Sequence, residues 1–152
     1  MNQETATPEV QLRPPIRNFS VQLSPTPRGA RLARLLATEQ LRSWGLPLDP
    51  AAHLVAELAA NAATHSRVPG RDFRVTLYVV GATLRIEVTD TRGDHLPQLH
   101  HPLPHAESGR GLVLVDTLAD RWGTALGPYP RKTVWAECRV GPPAERCRAE
   151  EP

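Results

Sequence analysis

Lysine is almost absent from this sequence. The chain of 152 residues has a single lysine, Lys132, among its 18 basic residues, so the other 17 are arginine, and the net charge is only +2. Six arginines between Arg13 and Arg42 are interspersed with glutamate and apolar residues, a pattern typical of a solvated helix face. This interpretation is favoured over a DNA-binding surface, so we expect no direct contact with nucleic acid.

Cysteines and aromatic residues are also scarce. The two cysteines, Cys138 and Cys147, are too few and too irregularly placed for a disulfide framework or a zinc site. With seven aromatic residues, the core must be built mainly from Leu, Val and Ala. No hydrophobic run approaches the length of about 20 residues that spans a bilayer, and the polar, proline-containing N-terminus does not resemble a signal peptide. We therefore expect a cytoplasmic protein without a membrane segment.

The length and the distribution of prolines predict one folded domain with two loose ends. Residues 1–17 are polar, contain three prolines and show no periodicity, so they are expected to be flexible. Pro, Glu and Arg dominate residues 141–152, which indicates a flexible tail. Between them, residues 18–140 show helical periodicity at 28–44 and around 51–66, and strand patterns at 19–23, 73–80, 83–89, 122–127 and 133–140.

The segment Glu57-Leu-Ala-Ala-Asn61 places a carboxylate and a carboxamide one helical turn apart among small and apolar residues. The apolar stripe of the same helix, which includes Leu54 and Leu58, must be buried, so Glu57 and Asn61 should point away from the core. Taken alone, such a pair is most often a solvated helix face. Two later segments favour a functional interpretation.

The first of these segments is a strand with alternating apolar residues that ends at Asp90 and is followed by Gly93. The second is the loop Gly109-Arg-Gly111, which precedes a helix. Glycines allow the backbone to approach a ligand, and the N–H groups at a helix start bind anions. Taken singly, Asp90 would more often be a turn residue, and the two glycines would more often belong to an ordinary loop.

The order of these segments resembles the GHKL (gyrase, histidine kinase, MutL) ATP-binding superfamily with its Bergerat fold. Segments similar to ELAANAATHS, ESGRGLVLVDTLADRWG and KTVWAE recur in stand-alone anti-sigma-factor-type serine/threonine kinase domains of actinomycetes, and the likeness covers about residues 28–137. The resemblance implies an α+β fold, a two-layer α/β sandwich. Its mixed, mostly antiparallel sheet would carry helices on one face, with residues 18–140 forming the histidine-kinase-like ATP-binding domain.

The resemblance also implies roles for individual residues. Glu57 would be the catalytic general base, and Asn61 would bind both the nucleotide and Mg²⁺. Asp90 would accept a hydrogen bond from the exocyclic amine of adenine, and Thr133 would complete that contact directly or through water. The remaining nucleotide-binding residues would be His65, Gly93, Gly109, Arg110, Gly111 and Leu112. For His65 a helix-terminal packing role is an open alternative, and for Arg110 a position on the loop surface.

Three features depart from the family pattern. After Asp90 only Gly93 remains of the usual Asp-x-Gly-x-Gly box, and Arg131 stands where the family often has glycine. The segment between Gly93 and Gly109 contains four histidines, at positions 95, 100, 101 and 105. Their spacing is irregular and interrupted by prolines, which favours a histidine-rich lid over a metal site.

The function implied by the resemblance is an ATP- and Mg²⁺-dependent protein serine/threonine kinase of anti-sigma-factor type. It would phosphorylate a small antagonist protein and could also sequester a sigma factor. The alternative is a nucleotide-binding module that sequesters a sigma factor or another partner without catalysis. Glu57 favours the enzyme, and the incomplete glycine box favours the non-catalytic binding module. The oligomeric state stays open, and a homodimer is one possibility.

Overall fold

The computed structural model describes residues 17–65, 71–91, 110–128 and 131–140. In chain order the elements are β1 Asn18–Leu23, α1 Pro27–Ser43, α2 Ala51–His65, β2 Phe73–Val80, β3 Thr83–Asp90, α3 Arg110–Leu118, β4 Arg121–Leu126 and β5 Lys132–Arg139. No helix in these ranges combines the length and the apolar character needed to cross a membrane. The segments 1–16 and 141–152, predicted to be flexible, lie outside the described residues.

The five strands form one open sheet in the order β1-β2-β3-β5-β4. All four strand pairs are antiparallel. The three helices form a second layer, in which α2 contacts α1, α3 and the strands β2, β3 and β5. The predicted α+β two-layer sandwich is therefore confirmed, and its sheet is antiparallel throughout the described strands.

The core lies between the sheet and α2. Because successive strand residues point to opposite faces, every second residue of β2, β3 and β5 reaches the helix layer. These residues are almost all apolar and fully or nearly fully buried: Phe73, Val75, Leu77, Leu84, Ile86, Val88, Val134, Ala136 and Cys138. Burial raises the pKa of the Cys138 thiol to about 11, and the charge of Asp120 adds to the shift. The thiol is therefore protonated at neutral pH and belongs to the core.

Helix α1 packs through small residues. Thr26 caps it by accepting a hydrogen bond from the Gly29 N–H at 3.0 Å. Its buried positions are Gly29, Ala33, Ala37 and Leu41, one turn apart. Three leucines of this helix are partly exposed: the values for Leu32, Leu35 and Leu36 are 39%, 64% and 37%. Small side chains let the helix approach the rest of the structure closely, which leaves the bulkier leucines at the surface.

The opposite face of the sheet is polar, and none of the three described helices packs on it. Here the Arg85 guanidinium donates to Glu87 at 2.8 Å and to Glu137 at 2.9 Å, and it lies 4.2 Å from the centre of the Trp135 ring. The Tyr78 hydroxyl donates to Glu87 at 3.2 Å. This cross-strand network satisfies the charges of the open face without a covering layer.

The close approach of α1 to the end of β1 gives a test of the packing. A Cβ at Gly29 would overlap the backbone carbonyl oxygen of Ser24. Helix propensity alone would favour alanine by about 1 kcal/mol. Because the overlap involves backbone, we expect Gly29→Ala to lower the free energy of unfolding by about 1–3 kcal/mol in urea titration. Gly127→Ala, whose Cβ meets only an ordinary contact at 3.4 Å, should change it little. A stabilised Gly29→Ala would contradict this packing.

Candidate functional site

The face of α2 that carries Glu57 and Asn61 is distinct from its buried stripe. Leu54, Val55 and Leu58 are at most 2% exposed, because they pack against the sheet and the neighbouring helices. Glu57 and Asn61 are both only partly buried, and the Glu57 side chain is 26% exposed. A carboxylate and a carboxamide are therefore presented side by side, one turn apart, at the boundary of the core.

Glu57 has a titratable neighbour on its own helix that the motif did not include. The Nε2 atom of His53, one turn earlier, lies 3.9 Å from Oε1 of Glu57. This separation is an ion-pair distance and is too long for a hydrogen bond. His53 is 47% exposed, so the contact is screened by solvent and leaves the Glu57 carboxylate able to accept a hydrogen bond from a ligand.

Asn61 fits the role of a single protein ligand to Mg²⁺. In the described part of the chain its carboxamide has no hydrogen-bond partner, so its oxygen is available to a ligand. The same part of the chain holds no cluster of three or more His, Cys, Asp or Glu side chains that could bind a metal by itself. Mg²⁺ commonly takes only one or two protein ligands and completes its shell with phosphate oxygens and water. The residues present therefore suit a metal that arrives with a nucleotide.

Asp90, the last residue of β3, is paired with Lys132, the first residue of β5. The two residues are 3% and 4% exposed, and they are the buried charged residues of the described chain. Nζ of Lys132 lies 3.5 Å from Oδ2 of Asp90. Because Asp90 follows Val88 by two positions and Lys132 precedes Val134 by two, both side chains point to the helix side of the sheet. Asp90 is thus on the same side of the sheet as Glu57 and Asn61.

The side chain of Thr133 lies on the other face of the sheet. Its hydroxyl is hydrogen-bonded to that of Thr89 at 2.7 Å, opposite it in the register. The structure therefore does not bring the Thr133 hydroxyl to the Asp90 carboxylate, and Lys132 occupies that place instead. The adenine contact suggested for Thr133 stays a prediction that this geometry does not favour.

A polar cavity of about 400 Å³ opens on the helix-free face. Its lining includes Thr89, Thr133, Arg131 and Asp90. It also includes outward-facing side chains of β1, β2 and β3, namely Gln22, Arg74, Thr76 and Glu87. Asp90, whose side chain points to the other face, shows that the cavity extends to the end of β3. Because neither Glu57 nor Asn61 lines the cavity, we do not identify it with the predicted nucleotide site.

The glycine-rich segment is described only in part. Helix α3 begins at Arg110 and includes Gly111 and Leu112, so it starts within the segment Gly109-Arg-Gly111 that was predicted to be the loop before it. The Leu112 side chain is buried, so only its backbone could reach a ligand. His65 is the last residue of α2. Gly93, Gly109 and the four histidines at 95, 100, 101 and 105 lie outside the described residues, so their predicted roles stay predictions.

Lys132 is the site residue that sequence reasoning missed. The signal was present, because alternation along β5 puts position 132 on the same face as 134, 136 and 138, all apolar or small and therefore inward-facing. A lysine at the start of such a stripe must be buried or paired. Its partner could not be read from the alternation, which does not reveal which strand lies next to β5. Arg131, which replaces a family glycine, is exposed and lies in the β4–β5 turn, where its carbonyl accepts from the Gly127 N–H at 3.1 Å.

Comparisons with known proteins agree with this architecture. The family model described as histidine kinase-like ATPase domain matches residues 23–132. The fold is similar to a crystal structure of the RsbU and RsbW domains of Rv1364c from Mycobacterium tuberculosis, with a TM-score of 0.61 and 18% sequence identity. That match covers 81% of this chain and 32% of the other, so the chain spans about one third of that structure. No curated protein shows significant sequence similarity.

Measurements of stability can test whether Asp90 and Lys132 behave as a buried ion pair. Asp90→Asn removes the carboxylate charge beside the buried Lys132 ammonium, so we expect the free energy of unfolding to fall by about 3 kcal/mol. The matched control is Glu39→Gln, which breaks the Glu39–Arg42 ion pair of α1, where the side chains are 71% and 61% exposed. That change should cost less than about 0.5 kcal/mol. Equal losses in the two variants, measured by urea denaturation, would show that the Asp90 pair is energetically a surface pair.

Proposed function

Because the chain belongs to the family of histidine kinase-like ATPase domains, we propose that it binds ATP with Mg²⁺ and acts as a regulatory protein serine/threonine kinase of anti-sigma-factor type. Its substrate would be a serine or threonine of a small antagonist protein, and a sigma factor would be a second partner. The proposed setting is the cytoplasm. The observation that carries the proposal is the Glu57–Asn61 pair, presented on α2 on the same side of the sheet as Asp90.

The described residues divide the binding of ATP among three elements. Asp90 at the end of β3 would accept a hydrogen bond from the exocyclic 6-amino group of adenine, in whose place guanine carries a carbonyl. The N–H groups at the start of α3, from Arg110 to Val113, would donate to phosphate oxygens. On α2, Asn61 would hold Mg²⁺ through its side-chain oxygen, and the ion, when bound, supplies neutralisation of phosphate charge.

Glu57 is the residue that would make the protein a kinase. Its carboxylate would accept the proton of the attacking serine or threonine hydroxyl. The hydroxyl oxygen forms a new bond to the γ-phosphorus, the bond from that phosphorus to the bridging oxygen breaks, and ADP leaves. Because little covalent chemistry falls to the protein in such transfers, Glu57 and Asn61 act chiefly by orienting the reactants.

A second candidate is a nucleotide-binding module that sequesters its partner without catalysis. The sequence Asp90-Thr-Arg-Gly93, which keeps one glycine of the usual box, favours this alternative because fewer glycines limit how closely the backbone can approach the nucleotide. Incubating the purified protein with labelled ATP and the antagonist-like proteins encoded beside its gene distinguishes the two. Label on a serine or threonine of such a protein supports the kinase. Stable complex formation without transfer supports the binder.

The metal-binding role of Asn61 gives one prediction. Asn61→Ala should abolish Mg²⁺-dependent ATP binding in calorimetric titration, because the one proposed protein ligand is removed. The free energy of unfolding should change by less than about 0.5 kcal/mol, since the side chain makes no described hydrogen bond. Thr64→Ala, an exposed change three residues later on α2, serves as the control and should bind as wild type. Wild-type affinity in Asn61→Ala would remove Asn61 from the site.

The catalytic role of Glu57 gives a second prediction. Glu57→Gln keeps the size of the side chain but cannot take up a proton, so ATP should still bind while phosphoryl transfer falls by on the order of 10²–10⁴-fold. Glu39→Gln on α1 is the matched control and should transfer at the wild-type rate. Binding is measured by titration and transfer with a partner protein shown to be engaged. Transfer by Glu57→Gln at the wild-type rate would exclude the general-base role, and a wild-type protein inactive under these conditions would favour the binder.

A further inference from the structure

Lys132 is the one buried basic residue in the part of the chain that the structure describes. It is the single lysine among 18 basic residues. Its side chain is 5% exposed, and its ammonium nitrogen lies 3.5 Å from the Asp90 carboxylate, whose side chain is 4% exposed. Basic side chains seen elsewhere in the described chain, such as Arg42 and Arg121, are 61% and 72% exposed. A buried lysine therefore has to be explained by its position beside Asp90.

Stability by itself does not account for this pair. Desolvating two charges costs several kcal/mol per ion, and replacing a buried ion pair by apolar residues of similar volume is often neutral or stabilising. Both neighbours of the pair on the same strand faces, Val88 and Val134, are apolar and buried, so an apolar pair would continue the core. A charged pair at the end of β3 and the start of β5 instead suggests that one of its members has to act on a ligand.

We propose that Lys132 is a positioning residue for base recognition: it fixes the Asp90 carboxylate as an oriented hydrogen-bond acceptor and so makes the site prefer a purine with a 6-amino group over one with a 6-oxo group. The inference rests on the proposed ATP-binding function. Lys132 acts through Asp90 and does not itself contact the base.

The geometry allows Asp90 to serve both Lys132 and a base. A carboxylate offers about four lone-pair sites on two oxygens, so it can accept hydrogen bonds from more than one partner at a time. The distance of 3.5 Å is that of an ion pair and exceeds the usual hydrogen-bond length. The paired positions lie directly opposite each other at the end of the β3–β5 register, so the backbone holds both side chains on the helix side. The ammonium thereby limits the orientations that the carboxylate can take.

The test compares the affinities for ATP and for inosine triphosphate, which carries a carbonyl in place of the exocyclic amine. Wild-type protein should bind ATP more tightly. Lys132→Met removes the charge but keeps much of the side-chain length, so the ratio of the two affinities should fall by about ten- to a hundredfold, the range for a hydrogen bond to a charged group. A purely structural role of Lys132 would weaken both nucleotides in proportion. Arg131→Met, the exposed neighbour, is the control and should leave the ratio unchanged.

A double-mutant cycle then asks whether Lys132 acts through Asp90. Asp90→Asn should also lower the ratio, because the amide can donate to the carbonyl of inosine. Adding Lys132→Met to Asp90→Asn should change the ratio no further. This comparison stays informative if Lys132→Met alone does not fold, since the double variant removes both charges and leaves no unpaired buried ion.

The outcomes separate the inference from the proposed function. Failure of the wild-type protein to bind ATP would overturn the proposed function and the inference with it. ATP binding with an unchanged nucleotide ratio in Lys132→Met would overturn the inference alone. The same holds if Lys132→Met lowers the ratio equally in the presence and absence of Asp90, because Lys132 would then act independently of the carboxylate.

Discussion

The burial of α2 against the centre of the sheet is the constraint on which the rest of the structure depends. This helix contacts α1 on one side, α3 on the other and three strands beneath it, and its residues Leu54, Val55 and Leu58 are almost completely removed from water. Each fully buried leucine or valine contributes about 1.5–3 kcal/mol. Since the rotation of the helix is set by this stripe, the position of Glu57 and Asn61 at the boundary of the core is set with it.

The alternation of side chains along the strands likewise determines where the other half of the candidate site lies. The alternation that buries Val88 and Val134 also carries Asp90 and Lys132 to the helix side, and it turns Thr89 and Thr133 to the open face. The polar groups proposed to bind the base and the phosphates thus lie on one side of the sheet as a result of core packing. A charge at a strand end can be retained there because its partner sits opposite it on the neighbouring strand.

Membership of the histidine kinase-like ATPase family constrains the ligand more than it constrains the chemistry. In the proposed function, nucleotide binding depends on Asn61, Asp90 and the start of α3, whereas phosphoryl transfer would need the carboxylate of Glu57 as well. His53, at 3.9 Å from Glu57, is the titratable neighbour that the structure adds to the motif. The proposed distinction between kinase and binder therefore depends on a single helix turn of α2, while the sheet serves either function equally.

Much of the fold and part of the site followed from the sequence alone. The helix predicted at 28–44 is observed at Pro27–Ser43, and the hairpin predicted at 73–80 and 83–89 is observed at Phe73–Val80 and Thr83–Asp90. Periodicity also separated Glu57 and Asn61 from the buried stripe of α2. These features are local, because the backbone geometry of a helix or strand determines which residues share a face.

The remaining features required the tertiary structure. Periodicity shows that residues share a face but does not show what covers that face. It therefore did not reveal that α1 packs through its small residues and leaves Leu32, Leu35 and Leu36 exposed. The pairing of Asp90 with Lys132 joins residues 42 positions apart in a sheet ordered β1-β2-β3-β5-β4. Which strands become neighbours is decided by how the helix layer and the sheet together bury their apolar faces, and that information is distributed over the whole chain.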